Sequence, residues 1–175
     1  LPARARRHSP RGQYQYKDQY QYQSVDPKIF LGFTSNMTYK KWNAGFVVRA
    51  NVGNYMYNNV YSTLGTFRAI SSLATHNGNA SRNLLETGFT QNGVNQLMSD
   101  YYIQNASFLR VDNINIGYNA GKVFKDKANL RFNANIQNAF ILTKYKGLDP
   151  EIGGGIDNNF YPRPTSFTFG LNFDF

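Results

Sequence analysis

The chain offers little that could do covalent chemistry. Its two histidines, His8 and His76, stand far apart in irregular sequence, and neither an HExxH nor a Gly-x-Ser-x-Gly motif occurs. There is no cysteine, which removes disulfides, thiolate zinc sites and thiol nucleophiles. Ten carboxylates are scattered along the chain. Asp149, Glu151 and Asp157 share one stretch and could offer oxygen ligands to Ca²⁺. Their spacing does not match an EF-hand, and an ordinary acidic loop is the better reading. Gly153-Gly154-Gly155 lacks the Lys-Ser/Thr that completes a phosphate-binding loop, so it reads as flexible backbone. No catalysis, cofactor or metal is expected.

Binding chemistry is better represented. Tyr55, Tyr57 and Tyr61 cluster with Asn54, Asn58 and Asn59. Aromatic faces stack on sugar rings and amides hydrogen-bond to hydroxyls, so these tyrosines are candidate ligand or lid contacts. An interfacial aromatic girdle explains them equally well. Arg49, Arg131 and Asn135 lie at polar positions of alternating segments and are candidates to line a wet interior. Asn36-Met37-Thr38, Asn79-Ala80-Ser81 and Asn105-Ala106-Ser107 fit the glycosylation pattern and are read as accidental.

What must position these groups is a set of strands. From Ser166 onward the chain alternates without a fault. Phe167, Phe169, Leu171, Phe173 and Phe175 take one face, with Ser166, Thr168, Gly170, Asn172 and Asp174 on the other. A strand of about ten residues, tilted, crosses the hydrocarbon core of a bilayer. Ile29 to Tyr39 alternates likewise. After Lys40-Lys41, Trp42 to Val52 continues the pattern, a hairpin signal despite unfavoured turn chemistry. Ile114, Ile116 and Tyr118 alternate with Asn113, Asn115, Gly117 and Asn119. Leu109 and Val111 break that phase, which a bulge would explain, as would a strand that runs on beyond the bilayer, where neither face meets lipid. After a polar link, Ala120 to Lys127, the residues Leu130, Phe132, Ala134 and Ile136 alternate again. Ala80 to Thr87 could form a helical turn or two, with Ser81 as a possible cap.

Composition agrees. Aromatic residues make up 16%, with 13 Tyr and 14 Phe, which suits strands and the aromatic girdles of membrane barrels. Mean hydropathy is −0.53, and no apolar run approaches the roughly 18 residues of a transmembrane helix. Alternating barrel strands average to such a hydrophilic value. The net charge is +9, with Arg4, Arg6, Arg7 and Arg11 near the start. No nucleic-acid recognition motif follows, so a solvated arm is preferred over nucleic-acid binding. No signal peptide opens the chain.

The connections run short (40–41), long (53–104), short (120–127) and long (143–164). Outer-membrane barrels have short periplasmic turns and long extracellular loops. The predicted fold class is all-β, an antiparallel transmembrane β-barrel segment. Residues 1–28 are a basic and Tyr/Gln-rich segment, in which Tyr14, Tyr16, Tyr20 and Tyr22 could make a further strand. Residues 29–175 supply the barrel strands. Five strands, or six with that segment, cannot close a barrel, since the smallest bacterial barrels have about 8. An open edge in lipid costs several kcal/mol per unpaired group. The chain is therefore expected to be a fragment, or to close a barrel with other chains.

Phe108-Leu109-Arg110-Val111-Asp112-Asn113-Ile114-Asn115-Ile116-Gly117-Tyr118 begins a resemblance to the SusC/RagA-type TonB-dependent outer-membrane transporters of Bacteroidetes. It continues through Asn133-Ala134-Asn135-Ile136-Gln137-Asn138 and Thr143-Lys144-Tyr145-Lys146-Gly147-Leu148-Asp149-Pro150-Glu151. It is strongest at Asp157-Asn158-Asn159-Phe160-Tyr161-Pro162-Arg163-Pro164 and the strand that follows. Residues 28 to 57 resemble the preceding hairpin of that family. The Tyr/Gln repetition of the first 25 or so residues departs from the acidic, Asp/Gly-rich loop that members often carry there. The resemblance implies a barrel of about 22 strands, of which this is roughly the C-terminal quarter. It implies a SusD-like surface lipoprotein as lid, a TonB complex engaged through an upstream segment, and import of oligosaccharides or peptides. The alternating Phe ladder ending at Phe175 resembles the signal read by the barrel-assembly machinery, so Phe175→Ala is expected to lower assembled barrel. The expected location is the bacterial outer membrane, in contact with its lipid. A passive channel or adhesin barrel without a plug, and a soluble carbohydrate-binding β-sandwich, are the alternatives.

Overall fold

The structure, a computed structural model, describes residues 22–65, 79–87, 99–125, 127–158 and 161–174. Tyr14, Tyr16, Tyr20, His8, His76 and Phe175 lie outside them. The chain divides into two compact units. One contains 27–53, 107–144 and 162–175, and the other contains 1–26, 54–106 and 145–161.

The first unit is one antiparallel sheet. Its strands are β1 (Ile29–Tyr39), β2 (Trp42–Val52), β5 (Phe108–Val123), β6 (Ala128–Thr143) and β8 (Ser166–Asp174), paired in the order β1-β2-β5-β6-β8. Lys40 turns the first hairpin with φ 52°, a left-handed conformation that costs a non-glycine residue about 1–2 kcal/mol. The β5–β6 turn occupies only 124–127, because β5 runs on to Val123 and takes up half of the expected link. Both long connections leave the sheet from its other end.

Register makes the sheet two-faced. Met37, Ala44, Ile116, Ala134 and Phe169 form one cross-strand row, and Tyr39, Trp42, Tyr118, Phe132 and Leu171 form the next. On the opposite face, Thr38, Asn43, Gly117, Asn133 and Gly170 form a row beside Asn36, Gly45, Asn115, Asn135 and Thr168. The phase break at Leu109 and Val111 is a bulge. Val47 pairs with Asn113 but Val48 pairs with Val111, so Asp112 has no Cα partner on β2. On the other side Asn138 and Ala139 stand opposite Asp112, and Asn138 adopts φ 50°. The slip returns Leu109 and Val111 to the apolar face, beside Ala50 and Val48.

Among the described residues of this unit, much of that apolar face stands exposed. Phe33 is 61% exposed, Phe167 65% and Phe169 80%. So large a bare apolar surface is expected of a wall that meets lipid, not of a water-soluble sheet. No helix among the described residues is long and apolar enough to cross a membrane.

The second unit is built around a small sheet. β3 (Tyr55–Asn58) lies between β4 (Ile103–Asn105), antiparallel, and β7 (Ile156–Asp157), parallel. α1 (Asn59–Leu64) follows β3 directly, and the Asn58 side chain caps it by accepting from the Tyr61 N–H at 2.9 Å. α2 spans Asn83–Thr87, and a 3₁₀ turn at Asp100–Tyr102 leads into β4. The expected helical turns at 80–87 thus shorten to α2, and Ser81 meets it through its backbone carbonyl, which accepts from Leu84 N. Met56, Ala106 and Tyr145 are buried together, with Ile152 packed against them.

Candidate functional site

The polar face of the sheet is built from amides that lie over glycines. A Cβ added at Gly117 would meet the Asn43 side chain, and one at Gly170 would meet Asn133. At Gly45 it would come within 2.9 Å of the Asn115 amide nitrogen. Glycine is required there by close approach: each neighbouring amide occupies the place of the missing side chain. The amides also bond along the wall. Asn113 donates to Asn135 at 2.8 Å, and Asn115 donates to Asn113 at 3.3 Å.

Toward the long-loop end, the bulge delivers Asp112 to Arg49. Arg49 donates from Nε at 2.5 Å and from Nη2 at 2.9 Å to the two carboxylate oxygens. The side chains are 28% and 25% exposed, so the pair is only partly wet. Beside it, buried Arg110 donates to the side-chain Oδ1 of Asn138 at 2.7 Å, and the Asn138 Nδ2 in turn donates to the backbone oxygen of Arg163 at 2.8 Å. Register puts Arg49, Arg131 and Asn135 all on this polar face. Arg131 sits near the short-turn end, 3.1 Å from Asp174. Its position is well exposed, at 55%.

The candidate tyrosines fall in the second unit. Tyr55 and Tyr57 project from the same side of β3, half-buried, while Met56 and Asn58 are buried on the other. Tyr61 is half-buried on α1. Tyr57 meets the edge of Tyr102 at 6.2 Å between ring centroids, and Tyr102 meets Tyr101 at 5.1 Å. Burial raises the Tyr57 hydroxyl above its ordinary value. Tyr102, wholly buried, is pushed up to about 12 by burial and by its two tyrosine neighbours.

Sequence reasoning missed a polar group beneath them. Tyr145 donates its hydroxyl to Asp157 at 2.8 Å, and both are buried. Burial first, then the bond to Asp157, raises the Tyr145 hydroxyl well above its ordinary value. Gln104 accepts from Asn58 at 3.4 Å and from the backbone of Lys146 at 3.2 Å. The Asp149 carboxylate accepts the Glu151 N–H at 2.9 Å. Among the described residues no group of acidic or histidine side chains is arranged to hold a metal.

On the apolar face, Phe167, Phe169, Leu171 and Phe173 stand exposed along β8. At the short-turn end Trp42 and Tyr118 pack at 4.6 Å, and Lys40 Nζ lies 5.2 Å from the Tyr39 ring centre. Aromatic and basic residues combined in this way mark the level of lipid headgroups.

Known proteins share this pattern. No protein-family model matches the chain. The TonB-dependent receptor SusC of Bacteroides thetaiotaomicron is 38% identical over 162 residues, 90% of this chain and 16% of the receptor. The TonB-dependent receptor P3 of Formosa agariphila is 28% identical over 165 residues, 85% of this chain and 16% of that receptor. Among solved structures, the RagAB peptide transporter superposes with a TM-score of 0.67 at 25% identity, covering 91% of this chain and 19% of that one. The RagAB peptide importer in its open-open state gives 0.68 at 22% identity, over 94% and 19%. The chain spans about a sixth of the length of the curated receptors it matches. It belongs to the SusC-type TonB-dependent receptors, and its five long strands are a segment of their transmembrane β-barrel.

Proposed function

We propose that this chain is wall and outer loops of an outer-membrane active transporter that imports oligosaccharides or peptides with energy supplied through TonB. The observation that carries this reading is the 38% identity to SusC across 90% of the chain, on a sheet whose faces are locked apolar and polar. Peptide cargo has its support in the RagAB likeness. The amide-rich polar face and Tyr55, Tyr57 and Tyr61 suit a neutral, hydroxyl- or amide-bearing solute. In this reading Arg49, Arg131 and Asn135 face the barrel interior, and the apolar face meets outer-membrane lipid. In the same reading the short turns lie in the periplasm and the long connections 53–104 and 143–164 are extracellular, where they would meet a SusD-like lipoprotein. The remaining strands of the same barrel complete the wall, and the barrel-assembly machinery inserts it.

The test is uptake by cells that carry the full-length receptor, with labelled oligosaccharides and peptides offered in parallel. Uptake of one class that disappears on deletion of the receptor, and equally on deletion of TonB, is the expected result. Receptor-dependent uptake that persists without TonB would overturn active transport and leave a passive channel.

A further inference from the structure

The apolar face is not evenly filled. Ala134 sits in a cross-strand row between Ile116 and Phe169, two much larger neighbours. The small side chain leaves a groove of about 640 Å³, floored by Ala134 and walled by Ile116, Phe169 and Phe132. Trp42 and Tyr118 stand at its end nearest the short turns. The volume falls within the roughly 300–1,000 Å³ of sites that take a small molecule. Its open side faces where lipid would lie.

Charge changes abruptly beyond the two aromatic rings. Lys40 and Lys41 immediately precede Trp42. The Lys40 ammonium leans over Tyr39, a residue of the apolar face. Lys41 Nζ donates to Ala120 O at 3.1 Å and Lys41 O accepts from Asn119 N at 2.8 Å, which ties the β1–β2 turn to the end of β5. That strand end and its turn add Lys122, Lys125 and Lys127. Asp126 lies outside the described residues, and the nearby carboxylate of Asp174 is engaged by Arg131. An apolar slot ending at Trp42, in the same face as the Tyr39 ring that carries the Lys40 ammonium and with Lys41 next in the turn, is complementary to an acyl chain joined to an anionic head.

We infer that this groove is a binding site for one anionic glycerophospholipid of the periplasmic leaflet, with an acyl chain along Ala134 and the head phosphate at Lys40 and Lys41. The inference rests on the barrel reading and on the short turns lying in the periplasm. Each lysine near a headgroup favours an anionic over a neutral lipid about fivefold, so the two together give about twenty-fivefold.

The experiment is native mass spectrometry of the full-length receptor in neutral detergent, with added dioleoyl phosphatidylglycerol or dioleoyl phosphatidylcholine. The wild type is expected to retain phosphatidylglycerol preferentially, by that factor. Lys40→Gln with Lys41→Gln is expected to abolish the preference, and Ala134→Phe to bring retention of both lipids to background. Equal retention of the two lipids by the wild type, or a preference that survives the double lysine variant, would overturn the inference. So would an Ala134→Phe variant that keeps its lipid but loses self-association, since the face would then belong to a second copy. Should Ala134→Phe fail to fold, the lysine variant decides alone. Heat-modifiable electrophoretic mobility of the wild type reports on the barrel separately. Its absence sinks the barrel reading and the lipid site with it, whereas its presence with unselective retention sinks the lipid site alone.

Discussion

Replacing Tyr145 with Phe removes one hydroxyl and leaves the ring packed against Met56, Ala106 and Ile152. The hydroxyl donates to Asp157 over 2.8 Å in a place where the tyrosine is 6% exposed and the aspartate 0%. A hydrogen bond to a charged acceptor contributes about 1.5–3 kcal/mol. Asp157 keeps its other interactions, which sets the expected loss near the lower part of that range, at about 2 kcal/mol. Two kcal/mol multiplies the local opening constant of the second unit by about 30. Amide hydrogen exchange on the full-length receptor in detergent reads this as faster exchange in peptides covering 54–58, 103–106 and 144–158. Peptides from β5 and β6 should not change. The Asp157→Asn background makes the test specific, because there the neutral acceptor reduces what Tyr145→Phe can remove. Unchanged exchange in the single variant, or the same loss in both backgrounds, would refute the assignment of this pair as the unit's polar anchor.

Phe169→Arg on the apolar face should cost about 2–4 kcal/mol and deplete assembled barrel, while Thr168→Arg one residue away should be tolerated; heat-modifiable mobility of the outer-membrane fraction compares them. Gly117→Ala should displace the Asn43 amide and cost about 1–3 kcal/mol in a urea titration of the micelle-bound receptor, and Asn43→Gly should restore the loss. Alkaline pH should loosen the second unit. Tyr57, Tyr102 and Tyr145 all bind their protons more tightly folded than unfolded. Their contribution is complete below the ordinary tyrosine value of 10.0 and declines as pH rises above it, through about 12 for Tyr102. Exchange protection of β3 and β4 should therefore fall together with the rise of tyrosinate absorbance. Full protection after these tyrosines have ionised would contradict it.

The sheet was legible because its periodicity is a direct image of its two environments. Ser166–Asp174 carries one kind of side chain per face, and Ile29–Tyr39 and Trp42–Val52 do so except at Phe30, Ser35 and Val47, so their bounds follow from the alternation. The break at Leu109 and Val111 was readable as a bulge because two apolar residues on a polar phase demand a slip. Its consequence was not readable: that Asp112 would reach Arg49, 63 residues away, depends on which strands pair. The second unit was opaque for another reason. β3, β4 and β7 have 4, 3 and 2 residues, too few for any period to register, and their pairing is long-range. The left-handed backbone at Asn138 suits an asparagine, whereas those at Lys40, Phe124 and Lys125 follow from turn closure and leave no mark in residue type.

In the proposed transporter, the alternation of asparagine with glycine across Gly117, Asn133 and Gly170 would bear on how a solute passes along the wall. Side chains that recline into their neighbours' vacancies give a level bed instead of a brush. A solute in transit would exchange one amide for an equivalent one at each step, held by none for long. In that reading the lining would offer polarity without protruding side chains, and selectivity would fall to the loops at the entrance.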